Sequence, residues 1–199
     1  MGKQIDYYFS VASPYTYLGH ERFEALAQQE SLDVNYHPAN FANVFSVSGG
    51  LPLKQRSAQR QAYRFMELKR WRDHLGMALN LEPKFFPAPD QLAACMVIFA
   101  IERGDHPGKL IAGVLRAVWT EDRDISDGDT LRAIAEAQGY DGSALLQAAA
   151  QPDAAARYEA STQGAIDAGV FGAPTWAVDG ELFWGQDRLE FLQRALSKA

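Results

Sequence analysis

The 199-residue sequence predicts an α/β fold interrupted by a large all-helical insertion, on three observations. Strand-like alternation stands near the N-terminus, at residues 5–10 and 32–37, and returns only near the C-terminus, at 170–178 and 181–184. Between them, from about Phe41, the apolar residues recur at helical spacing. Hydrophobic content of 47% suits a globular chain of a size that buries one core, or a core plus a helical subdomain. The expected division is one domain made from segments 1–40 and 155–199, with the helical insertion spanning 41–154. No internal repeat or low-complexity segment interrupts this scheme.

In the first strand, Ile5, Tyr7 and Phe9 share one face. A helical stripe follows at Leu18, Arg22/Phe23, Leu26 and Ala27. Between strand and stripe lies Val11-Ala12-Ser13-Pro14-Tyr15-Thr16-Tyr17-Leu18, with Ser13 as helix N-cap and Pro14 as first helical residue, where its missing N–H costs nothing. Such a junction aims a hydroxyl, free backbone N–H groups and the positive end of the helix at one point, where an anion is favoured. The same residues serve equally well as a plain helix cap. The second strand alternates Leu32, Val34 and Tyr36 against Asp33, Asn35 and His37 and stops at Pro38, which turns His37 toward solvent.

The insertion opens with Phe41, Val44 and Phe45, followed by a loop at 46–52. A helix is expected over 58–75, with Phe65, Leu68, Trp71 and Leu75 as its inner face. Residues 54–72 hold seven basic side chains against the single acid Glu67, and Arg56, Arg60 and Arg64 would line up at four-residue steps. This is either a solvated face or a means of attracting a carboxylate ligand, which arginine grips at two points. Pro83, Pro87 and Pro89 keep residues 80–89 extended, and Phe85 and Phe86 there either pack or line an aromatic pocket. Asp90 is the expected cap of a helix that runs to about Arg103, with Gly104 as its stop. Pro107 opens another, striped with Leu110, Ile111, Val114, Leu115, Val118 and Trp119. The acidic loop 121–129 lacks calcium-loop spacing: counted from Asp122, Gly128 is seventh and the twelfth residue is Ala133. Helices over 130–138, 141–150 and 152–168 complete the insertion side. Asp179-Gly180 is then a two-residue hairpin turn. A last helix spans 188–197, with Asp187 and Glu190 as a capping box.

A net charge of −6 gives no general affinity for nucleic acid or anionic membranes, and no apolar run approaches the roughly 18 residues of a membrane span. The chain enters its first strand at once, leaving no room for a signal peptide, and ends in Ser197-Lys198-Ala199 rather than a peroxisomal address, so a cytoplasmic protein is expected. The single cysteine, Cys95, lies in an apolar helical pattern and excludes an internal disulfide or Cys-X-X-Cys chemistry. Any sulfur chemistry therefore needs sulfur that arrives with a ligand. Serine hydrolase chemistry lacks a base: His20 lies two turns along the Ser13 helix, and His37, His74 and His106 have no motif context.

The Ser13-Pro14-Tyr15 junction, the Gly172-Ala173-Pro174-Thr175 segment before the hairpin, and the string Phe183-Trp184-Gly185-Gln186-Asp187-Arg188 resemble the glutathione-dependent 2-hydroxychromene-2-carboxylate isomerases and their kappa-class glutathione transferase relatives. The resemblance implies a thioredoxin-like fold of the DsbA/kappa type, with Ser-Pro-Tyr in place of a redox Cys-X-X-Cys. It implies that Ser13 is catalytic and holds glutathione sulfur as thiolate, with Ser13, Pro14, Tyr15, Ala173, Pro174, Gln186 and Asp187 binding glutathione. Ala173–Pro174 is then a cis bond whose Ala173 backbone pairs with the cysteinyl unit, and Gln186 and Asp187 hold the γ-glutamyl end. Asp187 has an alternative role as helix cap, whereas nothing local calls for Gln186. Arg56, Arg60, Arg64 and Phe86 are the candidates for contact with substrate or a carboxylate. Two positions depart from the family pattern, Ser10 standing where Asp is usual and Gly50 where the kappa relatives have Asn. The activity implied is glutathione-dependent cis–trans isomerisation of an aromatic substrate in aromatic degradation, by a homodimer. A kappa-like transferase or peroxidase is the alternative, and a non-catalytic thiol- or peptide-binding module is a third reading. Because a free thiol has a pKa near 8.5, a hydroxyl donor at a helix N-terminus would raise its thiolate fraction at neutral pH.

Overall fold

The computed structural model describes residues 2–197. Its strands β1 (Gln4–Phe9), β2 (Asp33–Pro38), β3 (Thr175–Val178) and β4 (Glu181–Trp184) form one mixed sheet in the order β2-β1-β3-β4. β1 and β2 run parallel, which requires a crossover, and helix α1 (Pro14–Gln29) supplies it. β3 runs antiparallel to β1, with Tyr7 opposite Trp176 and Tyr8 opposite Thr175. The β3–β4 hairpin turns at Asp179 and Gly180, both at positive φ (50° and 83°), as the Asp-Gly pair predicts.

The sheet is covered on both faces. Ile5, Tyr7 and Phe9 do share one face, where they join Phe23 and Leu26 of α1, Trp176 and Val178 in the main core. Tyr8 and Ala177 face the opposite way, into a second cluster with Phe41, Val44 and Ala165. That second cluster is closed by α2 (Phe41–Ser48) and α8 (Ala154–Asp167). The first continues into α4 (Gln91–Glu102), α5 (Gly108–Trp119), α6 (Gly128–Ala137) and α7 (Gly142–Ala149), so helices of the insertion share a core with the sheet. The stripe read along 110–119 is buried throughout, as is Cys95, a free thiol.

Several local expectations change. Helix α2 runs on to Ser48, and the loop begins only at Gly49 (φ 78°). In α3 (Ala58–Leu75) the inner face is rotated: Arg64 and Leu68 are buried while Phe65 is 38% exposed. Arg64 and Phe65 precede Leu68 by four and three residues, and either completes a helical stripe. The aromatic neighbours described below select the arginine. Arg56 lies before the helix, so the three arginines do not form one row. Residues 170–174 are not part of β3. His37 is half-buried, bonded through Nε2 to Asp6 Oδ1 at 2.9 Å and stacked on Tyr8. Neither Asp90 nor Asp187 caps a helix with its side chain; Arg188 occupies the N-cap position of α9 (Leu189–Leu196).

The C-terminal 3₁₀ turn Gln186–Arg188 docks on α1 at Gly19, where a Cβ would lie 2.8 Å from Gln186 Cβ. Gly19→Ala therefore pits a helix-propensity gain of about 1 kcal/mol against an overpacking cost of about 1–3 kcal/mol. Urea denaturation should find the variant no more stable than the parent and up to about 2 kcal/mol less so; a raised midpoint would contradict this close docking.

Candidate active site

The Ser13 junction forms as its residue types dictate. Ser13 has extended backbone (φ −77°, ψ 130°), its Oγ accepts from the Thr16 N–H at 3.3 Å, and Pro14 begins α1. The cap uses an oxygen lone pair, so the hydroxyl proton stays free to be donated. Pro14 has no N–H, and the Tyr15 N–H has no partner among the described residues. The approach to the helix is a turn closed by Ser13 N–H to the Ser10 carbonyl at 3.2 Å.

Antiparallel register brings the start of β3 to the end of β1, and so Ala173–Pro174 to the same end of the sheet as Ser13. That bond is cis, as expected. Ala173 is half-buried, and its N–H and C=O have no partner among the described residues. The neighbouring Pro174 carbonyl accepts from the Gly185 N–H at 2.8 Å, and Thr175 Oγ1 donates to the Gly172 carbonyl at 2.7 Å. Gly172 has no room for a Cβ, because the Trp184 indole nitrogen occupies that place. Trp184, half exposed, meets Phe171 edge-on at 4.7 Å, giving the segment an aromatic flank.

The Gly185 bond also brings Gln186 and Asp187 to this end of the molecule. Gln186 has a structural role after all. It is 2% exposed, and its Oε1 accepts from Arg22 Nη1 at 2.7 Å. Asp187 is exposed and pairs with Arg188 at 2.7 Å; without a cap to make, its carboxylate faces solvent.

The basic cluster separates into individuals. Arg60 is exposed, and Arg56 Nε donates to the Leu51 carbonyl at 2.8 Å. Arg64 alone of the three is buried, with its guanidinium 5.5 Å from the Phe86 ring centre and 5.9 Å from that of Trp119. Trp119 Nε1 donates to the Ala12 carbonyl at 3.3 Å, so this group adjoins the Ser13 turn. Phe86 packs on Trp119 at 4.7 Å. Burial pushes the Tyr15 hydroxyl pKa up, against the lowering effect of Arg64. At Gly50 the Phe45 ring fills the place of a Cβ, so an asparagine there would require it to move.

One functional candidate escapes the sequence reading. Ser10 Oγ donates to Asp90 Oδ2 at 3.2 Å and accepts from the Ala12 N–H at 3.2 Å, while Tyr158 OH donates to Asp90 Oδ1 at 3.5 Å. The carboxylate absent at position 10 is thus supplied to the same turn from 80 residues away. Because Asp90 immediately precedes a helix, a local reading assigns it to the cap.

A family model described as a DSBA-like thioredoxin domain matches residues 4–197. A 2-hydroxychromene-2-carboxylate isomerase of Sphingobium xenophagum is 30% identical, over 98% of this chain and 99% of that protein. The rat glutathione S-transferase kappa 1 is 23% identical over 98% of this chain and 91% of its own. Among solved structures, a 2-hydroxychromene-2-carboxylate isomerase superposes with a TM-score of 0.81 at 27% identity, covering 98% of this chain and 95% of that one.

Burial raises the Asp90 carboxyl pKa, outweighing the bonds from Ser10 and Tyr158 that lower it. As pH rises from about 4, the unfolded chain releases this proton before the folded one, so Asp90 withdraws stability until its own raised pKa is passed. Asp90→Asn removes that titration. Denaturant unfolding across this range should show the stability of Asp90→Asn gaining on the parent as pH rises; parallel profiles would refute it.

Proposed function

The chain belongs to the DSBA-like thioredoxin domain family and, within it, to the 2-hydroxychromene-2-carboxylate isomerase family, and on that premise we propose that it is a glutathione-dependent cis–trans isomerase of an aromatic substrate. The observation that carries the reading is the pair of open hydrogen-bonding groups at one end of the sheet. Ser13 has a free hydroxyl proton at a helix N-terminus, and Ala173 has an unpaired N–H and C=O beside a cis proline. These suit a cysteinyl unit, whose backbone would add to Ala173 like one more strand while its sulfur lies near Ser13. Glutathione, when bound, supplies a thiolate that adds reversibly to a conjugated double bond and permits rotation about it.

The protein's own contribution is to hold and polarise. The Ser13 hydroxyl and the Tyr15 N–H donate toward the sulfur position, where the helix terminus adds positive potential. Pro14 shapes that terminus, and Pro174 keeps the Ala173 backbone turned outward. The exposed Asp187 carboxylate, bonded to Arg188 through Oδ2, has Oδ1 left for the γ-glutamyl ammonium group. Gln186, its side-chain carbonyl engaged by Arg22, keeps its amide N–H groups for the same γ-glutamyl end.

Consumption of glutathione by kappa-like transferase chemistry is the second reading, supported by the rat relative. Free thiol followed during turnover separates the two, as only the transferase depletes it. Among the described residues no helix is long and apolar enough to cross a membrane. The proposal includes a cytoplasmic homodimer, for which the exposed Val47, Leu51, Tyr63 and Met66 offer an apolar surface.

Ser13→Ala tests the reading directly. Loss of the cap should cost about 1 kcal/mol of stability. Calorimetry should find glutathione binding only modestly weaker, because most of the tripeptide is held elsewhere. Turnover should fall roughly ten- to a hundredfold, the worth of a hydrogen bond to a charged acceptor. If bound glutathione titrates identically in parent and variant, Ser13 is only a cap; if the parent binds no glutathione at millimolar concentration, the proposed function fails.

A further inference from the structure

Arg64 is a buried cation without an anion. It is 8% exposed, it forms no ion pair among the described residues, and its Nη2 has no hydrogen-bond partner. The nearby acid, Glu67, is paired with Arg70 at 2.6 Å. Around the guanidinium stand the rings of Phe86, Trp119 and Phe65, at 5.5, 5.9 and 5.9 Å from its centre. Aromatic faces soften the desolvation of a cation but cannot accept the directed hydrogen bonds that five N–H donors present. A buried donor left unpaired is costly, and such exceptions in folded proteins call for a ligand or another explanation.

The position of this cation is as informative as its isolation. Trp119 lies between it and the Ser13 turn, with one ring near the guanidinium and its N–H on the Ala12 carbonyl. Tyr15, two residues past Ser13, lies near enough for the Arg64 charge to offset part of the rise that burial gives its hydroxyl pKa. A ligand at the helix N-terminus thus has a fixed positive fork beyond it, walled by flat rings. The geometry points to Arg64, with Phe86 and Trp119, as the seat of the carboxylate of a planar conjugated acid, the organic substrate of this protein. The assignment rests on the glutathione reading only in calling that acid the substrate. Arginine matches a carboxylate with two parallel hydrogen bonds, and the rings match a planar body. Arg60, exposed on the same helix, has neither the burial nor the walls.

The test uses the whole protein with benzoate as the probe, benzamide as its neutral counterpart, and glutathione in a separate titration. The parent should bind benzoate about tenfold or more tighter than benzamide, the worth of a charge-assisted pair. Arg64→Met should abolish that preference while leaving glutathione affinity unchanged, and Arg60→Met should leave the preference intact. The thermal midpoint of Arg64→Met without ligand should equal or exceed that of the parent, because an unpaired buried charge has been removed. Arg64→Lys should keep only part of the preference, having the charge without the fork; it and the parent decide the matter if the methionine variant does not fold. A parent that binds benzoate no better than benzamide overturns the assignment, as does a preference that survives in Arg64→Met. Loss of glutathione affinity in Arg64→Met with benzoate unaffected would also overturn it, since the carboxylate recognised is then that of glutathione. If the parent prefers benzoate through Arg64 yet binds no glutathione, the carboxylate site stands and the glutathione reading falls.

Discussion

Everything at the candidate site depends on the pairing of Tyr7 with Trp176 across β1 and β3. These residues lie near opposite ends of the chain, and their rings stack with centroids 5.6 Å apart. Phe23 of α1 closes on both, at 4.7 Å from Tyr7 and 5.3 Å from Trp176. Each such contact contributes about 0.5–1.5 kcal/mol beyond the apolar area it buries. The same pairing sets the antiparallel register. It therefore decides that the Ser13 turn, leaving the end of β1, and the Ala173–Pro174 segment, entering β3, emerge side by side. A one-residue slip would turn the buried set to the wrong face, so the site inherits its geometry from the core.

Three polar groups around this frame have been taken out of water in different ways. Gln186 is buried with a charged partner, Arg22, and acts as a fastening between α1 and the C-terminal turn. Asp90 is held by two hydroxyls, those of Ser10 and Tyr158, and thereby braces the turn that leads to Ser13. Arg64 has aromatic faces but no acceptor for Nη2. Removing an ion from water without a partner costs several kcal/mol, whereas a cation–π contact returns about 0.5–2 kcal/mol. The first two groups have hydrogen-bond partners within the fold. The third is a local instability of the kind that proteins keep at sites where something binds.

Much of the fold was legible because it follows from short-range rules. Alternation identified Ile5, Tyr7 and Phe9, and the Asp179-Gly180 pair announced a hairpin whose two residues do take positive φ. The Ser-Pro start of α1 was readable for the same reason, since an N-cap is a contact over three residues. Two of the failures, at Arg64 and Asp90, have the opposite character. Phe65 and Arg64 are equivalent by periodicity, and hydropathy favours the phenylalanine. Only the presence of Phe86 and Trp119, from distant parts of the chain, turns the arginine inward. Asp90 and Asp187 both stand just before helices, where local chemistry favours a cap. One is drawn instead to Ser10 and the other to Arg188.

By itself, then, the sequence determined the approximate places of the strands and the junction at Ser13, because each is set by residues a few positions apart, while the cis bond at Ala173–Pro174 was implied by the family resemblance. Only the tertiary structure decided which of the arginines is buried, where the Asp90 carboxylate goes, and that Gln186 is buried against Arg22. Those choices are made by side chains that meet across 22 to 164 residues of sequence, and no local pattern ranks one such partner above another.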